Sequence, residues 1–247
     1  MFSSVLSKEL KNFFSSTIFY GVVSFFFVLQ GAFLFVLPDY NILDSGYAEL
    51  KNFFESCPYV FCVILPALCM GLFSEERRFG TIVELVCSQI SVFRIIFTKF
   101  IAASIVGTLL IFCSLVYFAV LWQFASPSGN IDTPSILCSY LGLELLMLTM
   151  CSISVVGASI SKNQIISFLF SATLCLFAYF GLESLKVLFS WTSMANVFMQ
   201  TSLRYHFVSM SRGVIDSRDL VYFLATISFS LLSSIFLIEK VINKGKI

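Results

Sequence analysis

The sequence predicts an all-α membrane protein built on six transmembrane helices, and three observations predict it. Only 12% of the 247 residues are charged, 58% are apolar, and the mean hydropathy is +0.95. A water-soluble domain charges roughly a quarter of its residues to cover its surface, so this surface faces something other than water. Charges are absent over 12–38, 56–74, 100–131, 145–161, 163–182 and 220–238, and about 18 apolar residues suffice to cross a hydrocarbon core. The stretches between these runs are too short to bury a core of their own, so residues 1–247 are expected to form a single transmembrane domain. A net charge of +1 offers no electrostatic footprint for nucleic acid.

The elements follow in chain order. Over residues 1–14, Phe2, Val5, Leu6, Leu10, Phe13 and Phe14 recur at helical spacing, while Ser3, Ser4, Ser7, Lys8, Glu9, Lys11 and Asn12 fill the other face. A helix so patterned lies in the plane of the membrane interface. Two roles are open to it: an anchor, or an anchor whose polar face also meets a cytoplasmic partner. The apolar run behind it is longer than a signal-peptide core and lacks a cleavage pattern, so it is expected to remain as the first span. Spans are placed near 17–37, 57–73, 101–123, 135–160, 164–185 and 219–238. The fourth reaches full length only by running through Glu144. The charge-free run 187–203 holds Ser190, Thr192, Ser193, Asn196, Gln200, Thr201 and Ser202, too polar to face lipid, and is expected to be re-entrant or interfacial.

Lysine and arginine orient the chain. With six spans both termini share a side, and that side collects 10 of the basic residues against 5 on the other. The termini are therefore expected in the cytoplasm and the 38–56 loop outside.

Four features rise above the general hydrophobicity. The helical pattern of residues 1–14 is the first. The second is 74–85, SEERRFGTIVEL, where Glu75, Glu76, Arg77 and Arg78 precede Gly80. Thr81 and Glu84 then form a capping box that predicts a short helix over 81–88, and Ser91 stands where a further helix into the third span would begin. These charges serve either as a solvated, topology-setting face or as a docking helix for a soluble subunit. Third is Glu144, about nine residues inside the fourth span. A lipid-facing carboxylate there costs ~2.5–3.5 kcal/mol, so it must meet a helix neighbour, line a transport path or relay protons. Small residues later in that span, including Ser154, Gly157 and Ala158, allow close helix packing and favour a helix interface. The fourth feature is 203–222, where Arg212, Gly213, Asp216, Arg218 and Asp219 make a charged turn expected to close the outer end of the bundle. His206 has no second ligand at metal-binding spacing.

No catalytic constellation is present. The chain lacks G-x-x-x-x-G-K-[ST], H-E-x-x-H and G-x-S-x-G, and its eight cysteines show no C-x-x-C spacing. Only Cys57 and Cys138 lie near the outer face, where a disulfide is open to them. No catalytic residue, metal or bound cofactor is expected, and any energised work would draw on another chain.

The segment 74–100, SEERRFGTIVELVCSQISVFRIIFTKF, resembles the first cytoplasmic loop of ABC-2-type permeases, and within them the gliding-motility permease (GldF-like) family. The likeness continues in register through FSSTIFYGVVSFFFVLQGAFLFV at 14–36, YNILDSGYAELKNFF at 40–54, GNID at 129–132, NQIISFLF at 163–170 and SRGVIDSRDLVYF at 211–223. The resemblance implies a type V exporter-like permease subunit in a bacterial inner membrane. Its elements would be an interfacial N-terminal helix, a coupling helix around 75–88 and outer re-entrant helices before the last span. It implies cytoplasmic ATPase subunits that bind ATP and Mg, and a second permease protomer, a related chain with a large outer domain. Substrate export and force transmission are both compatible with it. The rival reading is a stand-alone secondary carrier or channel, which accounts for Glu144 and six spans but not for the capped cytoplasmic helix. A purely structural anchor is a third.

Overall fold

The computed structural model describes residues 2–37, 50–79, 91–124, 132–189, 191 and 194–244. In order these form α1 (Phe2–Ser15), α2 (Thr17–Phe35), α3 (Lys51–Cys69), α4 (Gly71–Phe79), α5 (Val92–Phe124), α6 (Thr133–Ile160) and α7 (Gln164–Leu176). A π-helical turn, Phe177–Gly181, joins α7 to α8 (Leu182–Leu188), followed by α9 (Met194–Thr201), α10 (Leu203–Met210) and α11 (Ser217–Lys244). Among the described residues six helices are long and apolar enough to cross a membrane: Thr17–Phe35, Lys51–Ser74, Val92–Gln123, Thr133–Ile160, Gln164–Lys186 and Ser217–Ile242. The chain is an all-helical, multi-pass membrane protein.

Short polar side chains start several of these helices. Ser16 Oγ accepts from Ile18 N at the head of α2, Asn163 Oδ1 from Ile165 N at the head of α7, and Asp132 Oδ1 from Ser135 N at the head of α6. Each satisfies an amide that the helix itself leaves without a partner.

Helix ends overrun the expected spans. The second span was expected over 57–73, but helix begins at Lys51 and, after a break at Met70, continues to Phe79. The third was expected over 101–123 and begins at Val92, directly after Ser91. Hydropathy marks the hydrocarbon core, whereas backbone hydrogen bonding carries a helix on into the headgroups and water. Residues 80–90, with the predicted helix over 81–88, Thr81 and Glu84, lie outside the described residues.

Burial divides the spans into two kinds. About 72% of the α3 and α6 spans is buried, against 22–39% of the other four, so α3 and α6 form the interior and the rest are turned to lipid. α6 packs against α3, α5, α7 and α11. Lipid tails are as apolar as leucine, so close contact and interhelical hydrogen bonds hold such helices together. The closest approach is at Gly157, where an added Cβ would lie 2.6 Å from the Ser171 Cα of α7. Ser171 Oγ donates to the Ser154 carbonyl at 2.9 Å in the same contact. Between α2 and α3, buried Gln30 donates to Ser56 Oγ at 2.7 Å, with Phe26 stacked on Phe61 at 5.9 Å beside it.

The α5–α6 seam is antiparallel and regular. Tyr140 donates to the Ser114 carbonyl, Thr108 to Glu144, Met147 fills the space at Gly107, and Ser104 meets Cys151. On α6 these positions are 140, 144, 147 and 151, alternate steps of four and three that line one helix face.

Candidate functional site

The charges of α1, α4 and α5 meet at the end of the bundle where α1 leads into the first span, here called the terminal end. Lys99, on α5, is 2% exposed. Its Nζ donates to Glu9 Oε1 of α1 at 3.0 Å, to Glu76 Oε1 of α4 at 2.9 Å and to the Leu72 carbonyl of α4 at 2.7 Å. An ammonium has three hydrogens, and all three are used. The Phe73 ring lies 5.3 Å from the same nitrogen, a cation–π distance. Buried lysine survives charged only when compensated in this way.

One residue further along α4, Arg77 Nη1 donates to the Ser159 carbonyl at 2.7 Å. Ser159 sits in the last turn of α6, whose carbonyls lack helical partners and where positive charge is favoured. Partial burial pulls the Arg77 guanidinium below its usual pKa. The four-charge run thus reads differently once folded. Glu76 and Arg77 tie α4 to α5 and α6, and Lys99 carries the tie on to Glu9 of α1. Glu75 and Arg78 lie on the same helix, and Thr81 and Glu84 fall outside the described residues.

Sequence reasoning placed Glu9 on a solvated polar face. In the structure it is buried, because the amphipathic helix packs along α5 and turns one member of its polar set inward to Lys99. Phe14, on the apolar face expected to meet the acyl boundary, is exposed on the protein surface. Lys99 was seen only as topology-setting charge. A signal was present, since Lys99 stands immediately before the charge-free run of the third span, but nothing in the chain marked Glu9 as its partner.

In mid-span, Glu144 Oε1 accepts from Thr108 Oγ1 at 2.6 Å. The carboxylate is half-buried, and its partner lies on the third span. The α5–α6 seam sets Thr108 beside Glu144, whereas the fifth span meets α6 further along, at Ser154 and Gly157.

The far end is closed by α10 and the turn after it. Gly213 has φ +85°, open to glycine at little cost, and its carbonyl accepts from Cys138 Sγ at 3.5 Å. Cys57 and Cys138 are both free thiols: Cys57 is buried in α3 and Cys138 is committed to the turn, so no disulfide joins them. Asp216 Oδ1 accepts from Arg218 N at 2.9 Å, which starts α11, and Arg212 is exposed beside a cavity. Asp219 Oδ1 lies 2.7 Å from His206 Nδ1, and His206 Nε2 lies 2.7 Å from the Gln200 carbonyl. A carbonyl only accepts, so Nε2 carries hydrogen, and the Nδ1–Oδ1 contact holds a further proton between His206 and Asp219. Tyr222 stacks on the imidazole at 3.9 Å and donates to the Thr201 carbonyl. His206 is a structural tie between α9, α10 and α11, and no metal-holding cluster occurs among the described residues. Beside this turn a cavity of about 530 Å³ is lined by Lys51, Glu55, Tyr59, Tyr179, Arg204 and Arg212 among others, with Arg204 paired to Glu183 at 2.8 Å.

The chain matches no protein-family model and no curated protein.

Proposed function

We propose that this protein is the transmembrane permease subunit of an ATP-driven ABC-2-type transporter, similar to the gliding-motility permeases. It sits in a bacterial inner membrane with both termini cytoplasmic and α9 and α10 re-entrant from the outer side. Separate ATPase subunits bind ATP and Mg, and a second permease protomer completes the membrane unit. The observation that carries this reading is α4. It prolongs the second span past the hydrocarbon core and bears Glu75, Glu76, Arg77 and Arg78. Glu76 and Arg77 bond it to Lys99 of the third span and the end of the fourth. A push delivered to 75–88 by closing ATPases is therefore handed to the third and fourth spans through short, charge-assisted contacts. The bundle then responds by moving substrate or by passing force outward.

The test is affinity purification of the full-length chain from its native membranes in mild detergent. A cytoplasmic ABC ATPase should co-purify, and Glu75→Lys with Glu84→Lys should uncouple its ATP hydrolysis without unfolding the membrane part. Recovery of the chain alone, with solute uptake driven by an ion gradient in vesicles, points to a secondary carrier instead. The far-end cavity and Glu144 would fit that second reading.

A further inference from the structure

A cavity of about 270 Å³ opens at the terminal end, between α1, the head of α2, the tail of α3, α4 and the head of α7. Its position along the membrane normal follows from the spans. Ser16 immediately precedes the first span, Leu68 and Met70 lie near the end of the second, and Gln164 begins the fifth. All line the cavity, so it lies where phospholipid headgroups lie.

Its chemistry is ordered by depth. The floor is the Glu9–Lys99–Glu76 cluster, in which two carboxylates meet one ammonium. Lys99 has spent its three hydrogens. Glu9 has spent only Oε1, its side chain is 9% exposed, and Oε2 makes no hydrogen bond among the described residues. A carboxylate oxygen that keeps an accessible face and unused acceptor capacity, on a side chain otherwise buried, favours a cationic donor. The rim carries the opposite sign. Lys8 and Asn12 stand four apart on one edge of α1, and Ser16, beyond its end, caps α2, whose N-terminus favours an anion. The remaining wall, Phe13, Ile18, Phe19 and Leu68, is apolar, and Ile18 is half exposed toward the lipid side.

An occupant must therefore carry an ammonium with N–H donors at its tip, a phosphate a few bonds behind it, and hydrocarbon behind that. We infer that the cavity binds one phospholipid with a primary-ammonium headgroup, phosphatidylethanolamine in class. Its ammonium donates to Glu9, its phosphate meets Lys8 and the α2 N-terminus, and its acyl chains leave along Ile18 and Leu68. Choline headgroups lack N–H and cannot make the first contact, and glycerol headgroups lack the positive charge. The inference rests on six spans and the charged cluster, and it stands or falls apart from the transporter reading.

Native mass spectrometry of the full-length protein, released from nanodiscs of equimolar phosphatidylethanolamine, phosphatidylcholine and phosphatidylglycerol, tests it. One phosphatidylethanolamine should be retained about tenfold over phosphatidylcholine, the equivalent of one charge-assisted hydrogen bond. Glu9→Gln, which keeps the acceptor to Lys99 but removes the charge, should erase the preference. Lys8→Ala should weaken both lipids and leave their ratio unchanged. Equal retention by wild type, or a preference that survives Glu9→Gln, overturns the site, and stronger retention of phosphatidylglycerol replaces it with an anionic-lipid site. If Glu9→Gln does not fold, the wild-type protein decides alone. Retention should fall step by step as the headgroup is methylated once, twice and three times, and a flat series rejects the ammonium contact.

Discussion

A lysine taken out of water exchanges its hydration for three acceptors, and Lys99 finds them on two other helices. Removing one partner from such a buried cluster costs more than never having built it, because the groups left behind are charged and dry. Lys99→Met should therefore lower stability by about 3–5 kcal/mol, read as the midpoint of denaturation in mixed micelles. Adding Glu9→Gln and Glu76→Gln to Lys99→Met should recover much of that loss, and a triple variant as weak as the single one would show that the cluster is not the cause. Glu144 is a milder case, with one hydrogen bond to Thr108 across the α5–α6 seam. Glu144→Gln keeps shape and hydrogen bonding and should assemble normally, whereas Glu144→Leu should lose ~1–2 kcal/mol. A silent Leu variant would mean the Thr108 bond contributes nothing. If Gln assembles but abolishes the proposed transport, ionisation of this carboxylate matters.

At the scale of elements, α6 organises the bundle by presenting different faces to different neighbours. Positions 140, 144, 147 and 151 meet α5, while Ser154 and Gly157 meet α7 at a distance that leaves no room for a side chain. The obstacle at Gly157 is the Ser171 backbone, which cannot rotate away as a side chain can. Gly157→Val should force α6 and α7 apart and destabilise the fold by ~1–3 kcal/mol. Gly107→Ala meets only the flexible Met147 side chain and should cost clearly less. Comparing the two by thermal denaturation in detergent checks the assignment, and equal losses would contradict it. α4 is the other decisive element. It belongs to the second span by continuity but to the third and fourth by its bonds, which is why a load applied there does not stay local.

On the scale of the whole molecule, six spans put α1 and the end of α11 on one side and the α10–α11 turn on the other. On the proposed reading, the excess of lysine and arginine puts the termini side in the cytoplasm. On a background with the eight native cysteines replaced, single cysteines at exposed Lys11 and Arg212 report this directly. An impermeant thiol reagent applied to intact cells should label the Arg212→Cys protein and spare Lys11→Cys. The reverse pattern inverts the topology, and α4 then faces away from any cytoplasmic ATPase.

The spans and the amphipathic first helix were legible in the sequence, and the caps at Ser16, Asp132 and Asn163, found only in the structure, are equally local, because each depends on neighbours a few residues away. Hydropathy over some twenty positions and a short side chain before a helix carry that information locally. The helix ends were less legible, since hydrogen bonding continues past the hydrocarbon edge that hydropathy detects. Which polar groups meet was decided only by tertiary structure. Glu9 and Lys99 stand 90 positions apart and Arg77 and Ser159 stand 82 apart. The side of α6 that receives Thr108 follows from helix rotation, which composition does not encode. Sequence by itself determined that the charges near the spans would need compensation, because an unpaired charge there is too costly to bury. It took the packing of α1 along α5, and of α4 beneath α6, to choose the partners, because a pairing energy exists only once two distant helices are held within hydrogen-bond reach.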